Sequence, residues 1–321
     1  MNEPRVTVAI PTWNRAHLLG PCLASVLSQT MPDFEVVVLD NASDDATPEV
    51  LGAVTDDRVS YVRNPENIGN LGNTTQALHA GTAPYVLVLY DDCYLAPTCL
   101  ERKVAFLDEH PDVVLVHSAF EVRHADDRLL SASEHWAGPS TERVEDGNVF
   151  IERSLLKPCR IQIASAMYRR EAVADESLRR EDYPADDHGL WLRIATKGRI
   201  GFIDEPLNGL RMVPGLTVAS GFHDLRDGRF VNTPVTARAA RDVMSTFLDE
   251  HAGTMDDDRR LRRLARRGAR SVWVTVLRNS VPGLRPPGRA LRLLGAAVRS
   301  EPSLLLEPRM ATVVVPSLRR R

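Results

Sequence analysis

The stretch that most limits what this chain can fold into is Ala83 to Pro97, which reads APYVLVLYDDCYLAP. Its run Tyr85 to Leu89 is almost wholly apolar, rich in β-branched and aromatic residues and too short for a free-standing helix, so it reads as a strand buried on both faces. Asp91 and Asp92 stand at its end. In an open α/β sheet, ligands bind in the crevice outside the carboxyl ends of the strands, where this run delivers the two acids. Adjacent carboxylates repel each other and are costly to desolvate, so the pair points to a neutralising cation, most simply a hard divalent ion held through oxygen. Taken alone, the dipeptide reads more readily as a solvated acidic loop or a helix cap before Pro97, since such pairs are common, and the rest of the chain must decide.

Other strands and helices follow in alternation. Val6 to Ile10 is a first strand, stopped by Pro11, and Asn14 to Gln29 carries Leu18, Leu19, Cys22, Leu23, Val26 and Leu27 at helical spacing. Glu35 to Leu39 is a second buried strand ending at Asp40, with Asn41, Ser43 and Asp44 as cap-type residues before a helix over Thr47 to Val54. Val59 to Val62 is a third strand, and Asn64 to Asn73 a turn-rich loop leading into a helix that ends near Gly81. After the acidic pair, Pro97 suits the first turn of a helix through Leu100, Val104 and Leu107, and Val113 to Val116 is another strand. The alternation predicts a mostly parallel, doubly wound α/β sheet, with the strand ends at Thr12, Asn14, Asp40, Asp91 and Asp92 lining one crevice. No GxGxxG follows the first strand and no GxxxxGK[ST] occurs, which weakens a nicotinamide or P-loop reading.

Beyond Arg123 the pattern loosens as far as Pro158 and reads as a loop-rich insertion holding His124, His135 and Trp136. Ile161 to Tyr168 alternates like a strand, and Leu190, Trp191, Ile194 and Ala195 predict a helix with Asp186 or Asp187 at its start. Gly201 to Leu207 is a short strand or turn, Arg211 to Gly221 a loop, and the chain turns helical after Val235. With 43% hydrophobic and 26% charged residues, 321 residues suffice for one large or two smaller domains. No run nears the roughly 18 apolar residues of a membrane span, and the N-terminal residues lack the pattern of a signal peptide, so a cytoplasmic protein is expected. Cys22, Cys93, Cys99 and Cys159 are scattered and read as reduced thiols.

The ordered pieces VAIPTWNRAHLLGPCLASVLSQT, FEVVVLDNASDDAT, NPENIGNLGN, VLVLYDDCYLAP and DDHGLWLRIATKGRIGFIDEPL resemble the inverting family 2 glycosyltransferases, nucleotide-sugar-dependent enzymes of the Rossmann-like GT-A fold. The resemblance covers roughly Arg5 to Ser220. It implies a GT-A catalytic domain over residues 1–235, with a nucleotide-sugar-binding half near 1–118 and an acceptor half near 119–235, followed by a basic helical region over 236–321. It further implies that Pro11, Thr12, Asn14 and Arg15 form the first donor loop and that Asp40 hydrogen-bonds the base of a UDP-, dTDP- or GDP-sugar. Asn67, Gly69 and Asn73 would shape the cleft. Asp91 and Asp92 match the metal-binding acidic motif for Mn2+ or Mg2+, and Asp187 matches the catalytic base, with Asp186 its rival.

Chemistry agrees with these roles. Breaking the bond between sugar and diphosphate develops negative charge that a divalent ion held by Asp92, and through water by Asp91, would stabilise. A carboxylate on the other face of the sugar, Asp187, would take the proton of the attacking acceptor hydroxyl in one inverting displacement. The sequence departs from the family at Val213, where many relatives carry a metal-binding His; His188 and His223 are the possible substitutes. Neither QxxRW nor membrane spans occur, so transfer of one or a few sugars to a discrete hydroxyl acceptor is expected, in cell-surface glycan or natural-product glycoside synthesis. A non-catalytic nucleotide-sugar-binding or scaffolding protein is the alternative, and a nucleotidyltransferase the rival among enzymes. Trp191 reads as core and Trp136 as a conceivable sugar platform.

The net charge of -3 conceals a basic tail, for from Arg259 onward the chain carries +14 and the remainder -17. The segment RRLRRLARRGARSVWVTVLRNS reads either as a basic amphipathic helix on anionic lipid, peripheral to the inner face of the plasma membrane, or as a helical appendage packed on the body or on a second copy in a homodimer. The packed reading is slightly preferred. Nucleic acid is not expected, since the tail lacks a binding module and aromatic interleaving.

Overall fold

The computed structural model describes residues 3–124, 128–133, 143–156, 161–183, 185–212, 223–226, 229–232, 234–255, 257–280, 287–306 and 310. The chain divides into two compact units, the first comprising Met1–Phe150, Arg160–Arg179 and Leu190–Leu216, the second Ile151–Cys159, Arg180–Gly189 and Thr217–Arg321.

In the first unit the apolar runs become strands β1 (Val6–Thr12), β2 (Phe34–Asp40), β3 (Val59–Arg63), β4 (Tyr85–Val88), β5 (Cys93–Leu95), β6 (Val113–His124), β7 (Leu129–Ser133), β8 (Arg143–Glu145), β9 (Ala166–Arg169) and β10 (Arg199–Met212). They form one mixed sheet in the order β3-β2-β1-β4-β9-β6-β10-β5, with β7 beside β6 and β8 beside β10. The strands β1 to β4 are parallel, β6 and β10 run the same way, and β9 and β5 are antiparallel to their neighbours. Most of the main path therefore points in one direction, as the alternation of strands and helices predicts. Helices α1 (Ala16–Leu27), α2 (Thr47–Gly52), α3 (Gly69–His79) and α4 (Cys99–Glu109) join the strands and α6 (Arg170–Val173) follows β9, whereas the residues of α5 (Gly147–Leu156) and α7 (Asp186–Ala195) are divided between the two units. The core holds Val6, Val8 and Ile10 of β1, Val36 and Val38 of β2, and Leu87, with Leu19, Leu23 and Val26 of α1 and Leu100, Val104 and Leu107 of α4.

Several boundaries differ from the sequence reading. β1 runs through Pro11 to Thr12, because its pairing with β4 has ended at Ala9 and the missing N–H of Pro11 breaks no ladder on that side. Helix α1 begins at Ala16, since Asn14 takes the left-handed conformation (φ 53). α3 begins at Gly69, so Asn73 is helical and buried instead of part of a loop. β6 extends to His124 and β10 spans 14 residues where short strands were expected, because the two pair with each other along their lengths. Ile161 to Tyr168 is a strand only from Ala166, after a turn of 3-10 helix at Ile163–Ser165. Trp136, Cys159, Val213 and the greater part of the expected loop after Arg211 lie outside the described residues.

The second unit contains β11 (His223–Arg226) paired with β12 (Arg229–Asn232), and helices α8 (Pro234–Glu250), α9 (Asp258–Ser280) and α10 (Pro287–Ser300). Its core gathers Ala237 of α8, Val272, Trp273, Val274, Val276 and Leu277 of α9, Ala297 of α10 and Leu304. The apolar side of α9, including Leu261, Ala265 and Ala269, is thus buried by protein, as the packed reading of the tail has it. Among the described residues no helix is long and apolar enough to cross a membrane.

Candidate active site

Parallel pairing brings the carboxyl ends of β1, β2, β3 and β4 to one edge. Thr12 lies opposite Asp40, and Asp40 opposite Arg63. The Asn41 amide donates to the Thr12 carbonyl at 3.0 Å, extending the register one residue past the strands. The loops that leave this edge are tied together. The Asp44 amide donates to Asn14 Oδ1 at 2.8 Å, the Asn14 amide to Ser43 Oγ at 2.9 Å, and the Ala16 amide to Asp45 Oδ2 at 2.9 Å. Asn tolerates its left-handed backbone because its short polar side chain bonds locally, whereas Ala42 at φ 61 is held in strain on the order of 1–2 kcal/mol.

The acidic pair follows β4. Asp91 is 3% exposed and accepts from Thr12 Oγ1 at 2.7 Å and from Arg15 Nη1 at 2.9 Å, and the same guanidinium nitrogen reaches Asp92 Oδ2 at 3.3 Å. Burial raises Asp91 to about 6, with the Asp92 charge adding to the rise and Arg15 and Thr12 pulling against it. For Arg15 burial acts downward, but Asp91 and Asp92 outweigh it and leave the guanidinium more firmly protonated. The two shifts together describe an attractive pair whose carboxylate is still short of positive charge. Cys22 and Cys93 beside it are fully buried thiols raised by desolvation, so neither is an activated nucleophile.

Asp40 is fully buried. Its Oδ1 accepts from the Ser43 amide at 2.8 Å, and its Oδ2 from the Tyr61 hydroxyl at 2.7 Å and Arg63 Nη1 at 3.1 Å. Asn41 anchors the next segment: its Nδ2 donates to Asn67 Oδ1 at 2.8 Å and to the Gly69 carbonyl at 3.3 Å, while its Oδ1 accepts from the Ile68 amide at 2.9 Å. Gly69 adopts φ 78, where a side chain is disfavoured. Asn73 donates from Nδ2 to the Leu39 carbonyl at 3.0 Å, fixing α3 to β2 from below the edge.

The sequence-predicted residues Thr12, Asn14, Arg15, Asp40, Asp91 and Asp92 thus converge, with Pro11 in the strand behind them. Tyr61 and Arg63 were missed, and Asn41 and Ser43 were read only as helix-cap residues; Arg63 stands at the end of its own parallel strand, the position that singled out Asp40, and could have been found by that rule. A further group lies nearby: the Arg211 amide donates to the Asp92 carbonyl at 2.9 Å, its guanidinium lies 4.8 Å from the centre of the Tyr94 ring, and Arg123 donates to the Tyr94 hydroxyl at 2.9 Å.

Asp186 and Asp187 belong to the second unit, in the first turn of α7. Burial raises Asp187 to about 7, the Asp186 charge adds to it, and the His188 amide, donating to Asp187 Oδ1 at 2.7 Å, works against it. Asp186 rises to about 6, again through burial first. His188 is buried, pushed down to about 4, and neither ring nitrogen has a hydrogen-bond partner among the described residues. Desolvation thus leaves the imidazole neutral.

Two carboxylates at the end of β4 fit a hard divalent cation that shares its ligands with water and phosphate, since such ions use one or two protein carboxylates rather than a full cage. Among the described residues no group of three or more His, Cys, Asp or Glu side chains could hold a metal, so His188 adds no ligand to a cluster of that kind.

Comparison with known proteins agrees with this architecture. The family model described as Glycosyl transferase family 2 matches residues 7–176, more than half of the chain. An uncharacterized glycosyltransferase, RC0461, of Rickettsia conorii is 23% identical over 215 residues, 67% of this chain and 34% of that protein, so the chain spans about a third of that relative's length. WfaP of Escherichia coli, a UDP-Glc:alpha-D-GlcNAc-diphosphoundecaprenol beta-1,3-glucosyltransferase, is 24% identical over 60% of this chain and 71% of its own. The fold is that of S. aureus TarS 1-349 in complex with UDP-GlcNAc, with a TM-score of 0.64 at 18% identity over 93% of this chain and 82% of that one. The mannosyltransferase PcManGT of Pyrobaculum calidifontis, in complex with GDP-Man and Mn2+, gives a TM-score of 0.56 at 20% identity over 100% of this chain and 89% of that one.

Proposed function

The chain belongs to glycosyl transferase family 2, and from that premise we propose that it moves a sugar from a nucleotide diphosphate donor to an acceptor hydroxyl with inversion at the anomeric carbon. The observation that carries the reading is the acidic pair at the end of β4, one carboxylate buried and short of positive charge and the other partly open, on the edge shared with Asp40, Thr12 and Arg15. TarS bound to UDP-GlcNAc and PcManGT bound to GDP-Man support a nucleotide-sugar donor, and PcManGT with Mn2+ supports a divalent cation. WfaP, named for a diphosphoundecaprenol-linked acceptor, supports a role in surface glycan synthesis.

In this mechanism Asp91 and Asp92 would hold the cation, which when bound would supply positive charge against the leaving diphosphate. Arg15, the resident cation of the pair, is a long side chain about one-third exposed, and it turns toward the diphosphate when the donor arrives. Asp40 receives a donor N–H of the base: among the described residues its Oδ1 accepts only the Ser43 amide, which leaves one lone pair for it. Tyr61 and Arg63, which cover it and are themselves well exposed, turn aside to admit the base. Asn67 and Gly69 shape the cleft wall and Asn73 supports it from within. Asp187 takes the proton of the acceptor hydroxyl. A carboxylate raised to about 7 suits a base working near neutrality, because the strongest base still ionised at the working pH is the most effective.

Calorimetry with UDP-, dTDP- and GDP-sugars, with and without manganese, tests the donor site, and Asp187→Asn tests the base. One nucleotide class binds and needs the metal, and the variant binds that donor as the wild type does while transfer is abolished. Failure of every donor to bind folded protein would overturn the reading, and unchanged turnover in Asp187→Asn would remove Asp187 from it.

A further inference from the structure

The first twelve residues of α9 are built with two opposite faces. Leu261, Ala265 and Ala269 are buried, and Gly268 lies where an added Cβ would come within 2.0 Å of the Leu155 carbonyl oxygen, so this side is packed against protein without clearance. Arg259, Arg263, Arg266 and Arg267 lie on the other side and are exposed. At 100° per residue their positions fall within about one-third of the helix circumference, and they extend along about 12 Å of its axis. The arginines at the margins behave differently. Arg260 pairs with Glu152, and Arg262 with Asp249 at 2.7 Å and Asp258 at 3.0 Å. Among the described residues Arg259, Arg263, Arg266 and Arg267 have no carboxylate within ion-pair distance.

We propose that this arginine face is an electrostatic docking surface for an anionic lipid bilayer. The four arginines share one exposed side of the helix, and no apolar residue of this segment falls within the arc they span, which suits an array of phosphates better than the partly apolar surface of a protein partner. No aromatic residue stands among them on which a base could stack, which disfavours single-stranded nucleic acid. The opposite face being already buried, α9 does not sink into the acyl region; it lies against the headgroups through charge alone. Each basic residue near such a surface contributes about 1 kcal/mol, and screening at high salt removes most of that attraction. The surface is independent of the proposed transfer reaction, because no residue of the acidic pair or of the donor loop takes part in it.

The test is sedimentation of the full-length protein with vesicles of phosphatidylcholine alone and of phosphatidylcholine mixed with phosphatidylglycerol. The protein sediments with the mixed vesicles at low salt, is released at about 0.5 M salt, and ignores the neutral ones. The triple variant Arg263→Gln/Arg266→Gln/Arg267→Gln partitions on the order of a hundredfold more weakly. The triple Arg-to-Lys variant at the same positions, which keeps the charge, binds as the wild type does. Thermal melting that matches the wild type shows that either variant is folded, as expected for side chains that pair with none of the described residues. Absence of binding to the anionic vesicles, equal binding to neutral ones, or a Gln variant that binds undiminished would each overturn the proposal. Binding to an RNA homopolymer through the same three arginines, with anionic vesicles ignored, would replace it with a nucleic-acid surface.

Discussion

The charge state of Asp91 has a consequence for stability that can be measured without knowing any substrate. In the unfolded chain this carboxyl loses its proton near the ordinary value of 3.8, whereas in the fold it holds it to about 6. Between those values the folded protein carries more protons than the unfolded one, so stability falls as pH rises through the window and the loss is complete above it. The full penalty is on the order of 3 kcal/mol, of which roughly half develops between pH 5 and pH 8. Asp91 is 3% exposed, so solvent screening takes little from that figure.

Asp91→Asn removes the ionisation while keeping the shape and a bond to Thr12. Its melting temperature changes less between pH 5 and pH 8 than that of the wild type, by about 3 to 5 °C for a unit of this size. The comparison is a double difference, so the titration of His188 and Asp187 cancels, while the ion pair with Arg15, formed only where Asp91 is ionised, is already contained in the shift. Scanning calorimetry of both proteins at the two pH values is the assay. Parallel pH profiles would refute the claim that this carboxylate is held ionised against its burial. If Asp91 and Asp92 bind a divalent ion as proposed, millimolar Mg2+ or Mn2+ at pH 8 raises the wild type and leaves the variant nearly unmoved.

Two further outcomes follow from the same physics. Arg193 of α7 donates from Nε to Glu176 at 2.8 Å, both side chains being 7% exposed, and Lys197 holds the other carboxylate oxygen at 2.9 Å. Arg193→Met strands part of a buried charge and costs about 3 kcal/mol, read by urea denaturation; a loss below about 1 kcal/mol would mean that Lys197 alone suffices. For transfer itself, the rate rises with pH as the Asp186 and Asp187 pair gives up its proton, with an acid limb near 7. In Asp186→Asn that limb moves to lower pH, because the neighbouring charge that helps to raise Asp187 is gone, and a limb that stays in place would argue against Asp187 as the titrating base.

What the sequence disclosed depended on the distance over which each feature is decided. The strands β1, β2 and β4 were legible because both of their faces are buried and their composition alone says so, and strand direction then placed Thr12, Asp40 and Asp91 at one edge. β10 was legible only as a fragment. Its 14 residues are held straight by pairing with β6, and register shifts between Ile203 and Asn208 interrupt the alternation that would have marked a strand. The start of α3 was hidden for a different reason. Gly, Asn and Pro in NPENIGNLGN read as turn residues, yet Asn41 satisfies the amide of Ile68 and the carbonyl of Gly69, so the helix begins where local propensity opposes it. The cover over Asp40 could not be foreseen from its own segment, since Tyr61 and Arg63 come from a neighbouring strand 21 and 23 residues later.

The two acidic clusters differ in their partners more than in their residues, and that difference is what separates their proposed roles. Asp91 is buried but held by a hydroxyl and a guanidinium, so its negative charge persists near neutrality and remains attractive to a second cation. Asp187 is favoured as an anion only by backbone amides among the described residues, those of His188 and of its own residue, while burial, an acidic neighbour and a histidine that burial keeps neutral leave its ionisation disfavoured on balance. A carboxylate in the first setting, although raised to about 6, is ionised near neutrality beside its guanidinium and suits holding positive charge. One in the second keeps it until about pH 7 and suits exchanging it with a substrate hydroxyl. Exchanging the settings should exchange the chemistry: without Arg15, Asp91 drifts toward the protonated state and its hold on a cation weakens as pH falls, while a cation placed beside Asp187 would make it too weak a base to serve an alcohol.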